Sequence, residues 1–143
     1  MSFCLIILAA GNSHRFRSNI GKPYQKIAGK SLIEINIDKA RKIKAVKKIV
    51  LVYNKKDSKR IKSLKLRNIK LILGGKTRFE SLKNAIENID SSKYDILMVH
   101  DAARPLVPKD LMLKLLVQEV LVSMKLTYTI IILNLEKHGQ RQE

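Results

Sequence analysis

The sequence predicts an α/β fold built on a mostly parallel sheet with helices on both faces. Three observations carry this. Short apolar runs alternate with helical patterns along most of the chain. The apolar runs are continuous, as in strands covered on both sides, rather than alternating in-out. Strand and helix follow one another strictly, with no Gly/Ser- or Pro-rich linker and no internal repeat to break the order.

Phe3 to Ala10 is an uninterrupted apolar run with β-branched residues, closed by Gly11, and reads as the first buried strand. Ser31-Leu-Ile-Glu34 matches a capping box, and the helix it opens runs to about Ile43 with Ile33, Ile37 and Ala40 on one face. Lys48 to Tyr53 is a second strand ended by Asn54, Asp57 to Leu66 a weaker helix, and Ile69 to Leu73 a third strand stopped by Gly74-Gly75. Thr77-Arg-Phe-Glu80 is a second capping box; Phe79, Leu82, Ala85, Ile86 and Ile89 behind it are spaced for one buried stripe. Tyr94 to Val99 is a fourth strand, Pro108 opens a helix reaching about Val122, and Leu126 to Leu133 offers a fifth strand.

Length and composition bound the function. One hundred and forty-three residues make one domain of ordinary size, and 45% hydrophobic with 29% charged residues is a globular balance. The eight-residue run Phe3–Ala10 is far short of the roughly 20 a membrane helix needs. No Lys or Arg precedes it, so it does not read as a signal peptide. The single cysteine, Cys4, cannot form an internal disulfide or a cysteine-based zinc site, and the expected setting is a reducing, cytoplasmic one without membrane contact. The net charge of +17 suggests a polyanionic partner. Yet the positive charge is mostly lysine, 21 Lys against 8 Arg, scattered between apolar residues, with 5% aromatics and no Trp. That gives dedicated nucleic-acid binding little support.

In a parallel sheet, ligands bind beyond the carboxyl ends of the strands, which directs attention to three segments. After the first strand comes Ala9-Ala-Gly-Asn-Ser-His-Arg-Phe-Arg-Ser-Asn-Ile-Gly-Lys22, glycine-opened and basic, as a phosphate-wrapping loop should be. It is neither a dinucleotide fingerprint nor a Walker loop, because the further glycines those motifs require are missing. Arg15 and Lys22 remain as two cations suited to a triphosphate under attack; a plain basic surface loop is the competing reading. After the third strand, Gly74-Gly-Lys-Thr-Arg-Phe-Glu-Ser81 combines glycines that permit close backbone approach with the free amides of a helix start. A well-capped strand-to-helix turn would look the same. After the fourth strand, His100-Asp-Ala-Ala-Arg-Pro105 places a carboxylate able to bind a metal and an arginine able to hold a phosphate, or simply an Asp–Arg pair that organises the turn.

Taken in order, these segments resemble the 2-C-methyl-D-erythritol 4-phosphate cytidylyltransferase family. The marks are the alanine-alanine-glycine loop with an arginine and then a lysine, Gly-Gly-x-x-Arg-x-x-Ser at 74–81, and His-Asp-Ala-Ala-Arg-Pro unbroken at 100–105. Ribitol-5-phosphate cytidylyltransferases share nearly all of them. The resemblance covers about Phe3 to Val120 and implies a Rossmann-like three-layer nucleotidyltransferase fold. It also implies transfer of CMP from CTP to a sugar-alcohol phosphate, with Mg²⁺ as cofactor and pyrophosphate released. On this resemblance Arg15 and Lys22 would be catalytic, stabilising the charge at the α-phosphorus and on the leaving pyrophosphate. Ala9, Ala10, Gly11, Gly75, Lys76, Ser81 and Ala102 would line the nucleotide, Asp101 would sit at the metal, and Arg104 would face the sugar phosphate.

The sequence also departs from the family pattern. Ser13 stands where a second glycine is usual, Gly21 rather than proline precedes Lys22, and Lys76 replaces an acidic or small residue. From Leu126 on, the family's Asp-Thr substrate motif, its subunit-crossing arm and its late lysine are not found. The expectation is therefore a CTP-binding core at 1–123, a divergent short tail at 124–143, a missing C-terminal part and weakened homodimerisation. Three functional readings follow: a cytidylyltransferase-type domain, a silent remnant that at most binds nucleotide, or a basic nucleic-acid module on the same fold.

Overall fold

The computed structural model describes residues 2–11, 20–104 and 110, and the backbone of 129–133. Five parallel strands form the main sheet: β1 (Phe3–Ala9), β4 (Val46–Tyr53), β5 (Ile69–Leu73), β6 (Ile96–Asp101) and β7 (Thr129–Leu133), in the spatial order β5-β4-β1-β6-β7. A two-stranded antiparallel hairpin, β2 (Lys26–Ile27) and β3 (Lys30–Ser31), follows a one-turn 3-10 helix at Lys22–Tyr24. The helices are α1 (Leu32–Arg41), α2 (Ser58–Ser63) and α3 (Arg78–Glu87). The α/β fold with a parallel sheet read from the sequence is the observed one, and the fifth strand occupies the edge beside β6.

Successive residues of β1 explain both layers. Phe3, Leu5, Ile7 and Ala9 pack with Ile33, Ile37 and Ala40 of α1 and Ile61 of α2. Cys4, Ile6, Leu8 and Ala10 pack on the opposite side with Ala85 of α3. Both sides of the strand are buried, which is why its sequence is apolar without alternation. Chain order then sets the binding edge. From β1 the chain moves outward through β4 to β5, and next crosses to β6 on the other side of β1. The connections diverge between β1 and β6, and a crevice forms beyond their carboxyl ends.

Two expectations need correction. The fourth strand runs from Ile96 to Asp101, not from Tyr94 to Val99. Asp95 instead receives Ser2 N at 2.7 Å and Ser2 Oγ at 3.1 Å, fixing the register in which Leu8 faces Asp101. Phe79 does not join the buried stripe of α3; it is 75% exposed. Ser81 and Ala85, one turn apart, face the sheet, so a residue two positions before Ser81 turns to the far side of the helix. The Lys22–Ser31 turn and hairpin have no counterpart in the sequence reading, because their polar residues carry no apolar period. Among the described residues, no helix is long and apolar enough to cross a membrane. The Pro108–Val122 helix lies outside the described residues except for Asp110, which is helical.

Candidate active site

The end of β1 is fixed from three directions. Ala9 and Ala10 are buried, one packed on each face of the sheet. Ala10 O accepts from Asn54 Nδ2 at 3.4 Å, and Leu8 O accepts from Ala102 N at 2.9 Å. A Cβ built on Gly74 would come within 2.3 Å of the Ala10 Cβ and 2.9 Å of Ser81 Oγ. Only a residue without a side chain lets the turn after β5 lie against the end of β1. Gly11 is exposed at the mouth, with no atom of the described residues within 4 Å of a Cβ placed there.

The Gly74–Ser81 turn is braced from within. Gly75 N donates to Ser81 Oγ at 3.1 Å, and Ser81 is 3% exposed. Glu80 N donates to Thr77 Oγ1 at 3.0 Å, but the Glu80 carboxylate accepts from Lys76 N at 2.6 Å rather than from the Thr77 amide. Half of the expected capping box is thus formed, and the other half bends back one residue further. The Glu80 side chain fills the space beside Gly75, where a Cβ would approach Glu80 Cβ to 2.3 Å. The amides of Gly75, Lys76 and Glu80, expected as free donors for a ligand, are engaged inside the turn. Lys76 itself is exposed at the rim.

Asp101 closes β6 between two arginines. Arg78 at the start of α3 reaches its Oδ1 with Nε at 3.3 Å and Nη2 at 3.2 Å, while Arg104 Nε meets Oδ2 at 3.4 Å. The backbone repeats the closure, with Arg104 N donating to Asp101 O at 3.1 Å. Ala102 is fully buried in the core under α1. From α1, the buried Asn36 donates through Nδ2 to Ala102 O at 3.2 Å and Arg104 O at 3.5 Å. His100 is 4% exposed. Burial pushes its imidazole below the ordinary histidine range, against the opposing pull of Asp101, so it is neutral at physiological pH.

The structure therefore brings Ala9, Ala10, Gly11, Gly75, Ser81, Asp101, Ala102 and Arg104 together at the carboxyl ends of β1, β5 and β6, with Ala9, Ala10, Ser81 and Ala102 buried and Lys76 exposed. Lys22 is exposed at the start of the one-turn helix that Pro23 and Tyr24 anchor in the core. Arg15 lies outside the described residues. Two contributors escaped the sequence reading. Arg78 was visible only as the arginine of a motif, with no role assigned. Asn36 falls on the buried stripe of α1 beside Ile33, Ile37 and Ala40, and a polar residue on an apolar face was the available signal.

Comparison with known proteins identifies the family. The family model described as 2-C-methyl-D-erythritol 4-phosphate cytidylyltransferase matches residues 3–134. A bifunctional enzyme IspD/IspF of Pelagibacter ubique is 50% identical over 105 residues, covering 73% of this chain and 28% of the relative. A 2-C-methyl-D-erythritol 4-phosphate cytidylyltransferase of Thermosipho melanesiensis is 35% identical over 115 residues, covering 76% of this chain and 50% of the relative. Among solved structures, the bifunctional IspDF of Campylobacter jejuni superposes with a TM-score of 0.72 at 35% identity, covering 83% of this chain and 31% of that one. A CMP:2-keto-3-deoxy-manno-octonic acid synthetase, with a TM-score of 0.67 at 17% identity, covers 88% of this chain and 50% of that one and shows the shared fold. The chain spans about half the length of the single-function relatives and less of the bifunctional ones. With the family match running from the first strand through the fifth, the chain belongs to the 2-C-methyl-D-erythritol 4-phosphate cytidylyltransferase family.

Proposed function

We propose that the chain supplies the nucleotide-holding part of a cytoplasmic cytidylyltransferase that moves CMP from CTP to 2-C-methyl-D-erythritol 4-phosphate, releasing pyrophosphate. The observation that carries this reading is the convergence of three strand ends, where Gly74 rests against Ala10 and Arg78 binds Asp101. That crevice is where a doubly wound sheet takes its ligand.

In the proposed reaction, a phosphate oxygen of the sugar-alcohol phosphate forms a bond to the α-phosphorus of CTP. The bond from that phosphorus to the β-phosphate oxygen breaks, and its electron pair leaves with pyrophosphate. The chain contributes position and charge, which are what phosphoryl-type transfers require. Arg15 and Lys22 are assigned to the triphosphate and the leaving group. The walls at Ala9–Gly11, Gly75, Lys76, Ser81 and Ala102 are assigned to cytosine and ribose, and Arg104 to the incoming phosphate. Fixed cations aimed at developing charge are worth several kcal/mol of barrier.

Asp101 is, among the described residues, the donor placed to hold Mg²⁺. Among the described residues there is no cluster of three or more His, Cys, Asp or Glu able to hold a metal. Asp101 is the carboxylate at the crevice, and a single carboxylate together with nucleotide phosphates is a normal Mg²⁺ environment. Bound there, the ion would neutralise phosphate charge.

Calorimetric titration with CTP and Mg²⁺, with ATP and GTP as controls, tests the reading, followed by a pyrophosphate-release assay with methylerythritol phosphate. Selective CTP binding is the expected result, and turnover would show that this part suffices for the transfer. Equal affinity for the three nucleotides would refute the cytidylyl assignment, and CTP binding without turnover would reduce the chain to a nucleotide-binding domain.

A further inference from the structure

The α1 face of the sheet carries a hollow built from none of the residues of the β1–β6 crevice. It encloses about 670 Å³ between the Lys22–Tyr24 turn, the β2–β3 hairpin, the start of α1 and the end of α2. That volume lies within the range of small-molecule sites. Tyr24 and Leu64 give it apolar wall, Lys26, Arg60 and Lys65 bring positive charge, and Glu34 is its one carboxylate. The Glu34 carboxylate is already engaged, accepting from Ser31 N and Ser31 Oγ at 2.8 Å each. Arg60 is held as part of the wall: its guanidinium carbon lies 5.2 Å from the Tyr24 ring centroid, and its Nη1 meets Asp57 at 3.3 Å. A smaller hollow of about 220 Å³ continues past Glu34, Leu64 and Lys65 to Lys30, Arg41 and Arg67, where Asp38 pairs with Lys30 and Arg41.

The surroundings bias this site toward anions. Residues 39–70 contain fourteen Lys and Arg and one acid, a net +13 of the chain's +17. In the fold they belong to the end of α1, β4, α2 and β5; Arg60 and Lys65 line the hollow, whereas Lys48 and Lys70 lie toward Cys4 on the α3 side of the sheet. The one acid, Asp57, is the partner of Arg60. Cations that line a concave surface, here Lys26, Arg60 and Lys65, raise the local concentration of anions. The apolar wall adds a surface on which an organic body can desolvate.

We propose that this hollow binds an organic phosphate: a small phosphorylated molecule whose anionic end meets Arg60 and Lys65 and whose body lies on Tyr24 and Leu64. The proposal rests on these residues alone and is independent of the cytidylyl assignment. Phenyl phosphate, one phosphate on one ring, is the probe, followed by amide NMR of the isotope-labelled chain, with inorganic phosphate and phenol as separate arms. Saturable shifts at Gln25, Gly29, Ser63 and Lys65, with Gly75, Lys76 and Ala102 unmoved, are the expected result. Arg60→Gln and Lys65→Asn should each raise the Kd at least about fivefold, the loss of one charge-assisted contact. Lys65 already has a φ of 47°, which asparagine accepts, so the second variant keeps the test decisive if the first fails to fold. Shifts centred on Gly75 and Ala102, an unchanged Kd in Lys65→Asn, no saturable shift, or inorganic phosphate binding as tightly as phenyl phosphate would each overturn the proposal.

Discussion

Arg78 grips Asp101 across the sheet edge, two nitrogens on one oxygen, and leaves the other oxygen to Arg104. A carboxylate at the end of a central strand is thereby aimed before any ligand arrives. Arg78 is 47% and Asp101 24% exposed at the side chain, so as a contribution to folding the pair is worth under about 1 kcal/mol. Its value lies in orientation. Asp101→Asn should therefore shift the melting temperature by only a few degrees, while weakening CTP–Mg²⁺ binding about tenfold or more, about 1.4 kcal/mol. Thermal melts and calorimetry on the same preparation check both halves.

Gly74 and Gly11 should respond differently to the same change. Gly74→Ala drives a methyl into Ala10 and Ser81 and should cost about 1–3 kcal/mol, the usual penalty for overpacking. Gly11→Ala meets no atom of the described residues within 4 Å and should be close to neutral in stability. Urea denaturation of the two variants side by side measures the difference; equal midpoints would contradict the close approach of the Gly74 turn to β1.

Asn36 ties the Asp101–Arg104 turn to α1. Asn36→Ala leaves the Ala102 carbonyl, buried with its residue, without this donor and should cost about 1–3 kcal/mol. Because the same side chain steadies the Arg104 carbonyl, amide exchange of residues 102–104 should quicken well beyond the chain-wide loss of protection. Uniform acceleration would mark Asn36 as a packing residue only.

His100 sets an acid limit. Its folded pKa is depressed by burial, whereas in the unfolded chain it takes up a proton near pH 6.5. The unfolded state then binds more protons as pH falls below about 6.5, and stability is lost in that window by linkage. Denaturant midpoints between pH 7.5 and 5 should fall, and His100→Gln should flatten that slope. A slope unchanged in the variant would assign it to other groups.

Cys4 is fully buried and its thiol is pushed up to about 11 by burial, against the lowering pull of Lys48 and Lys70. Thiolate is the reactive form. An aromatic disulfide reagent at neutral pH should therefore label the native chain only at the rate at which it opens, and rapidly in denaturant.

The strands were legible in the sequence because burial on both sides removes polar residues, as in Phe3–Ala10. The motif residues at 74–81 and 100–105 were legible because they follow strands directly. What the sequence did not disclose was pairing between segments. Arg78 and Asp101 are 23 positions apart, and nothing local to either names the other. The Glu80 carboxylate answering Lys76 rather than Thr77 was equally hidden, since the residue pattern of a capping box serves both geometries. Phe79 was misassigned because apolar character alone cannot fix the rotation of a helix; Ser81, a small polar residue taken up by the turn, set it instead. The hairpin at Lys26–Ser31 lacked any period to read.

The position of β1 has a consequence for how the molecule is made. This strand is made before the other four yet lies in the middle of the finished sheet, between β4 and β6. Its first lateral partner emerges only with Val46–Tyr53, and its second waits for Ile96–Asp101, with Ser2 and Asp95 separated by 93 positions. For that interval the most apolar segment of the nascent chain presents an open edge, the condition under which strands pair with the wrong neighbour. The strand that closes this edge also delivers Asp101 to Arg78, so a nascent chain acquires its crevice in the same event that ends its exposure to aggregation.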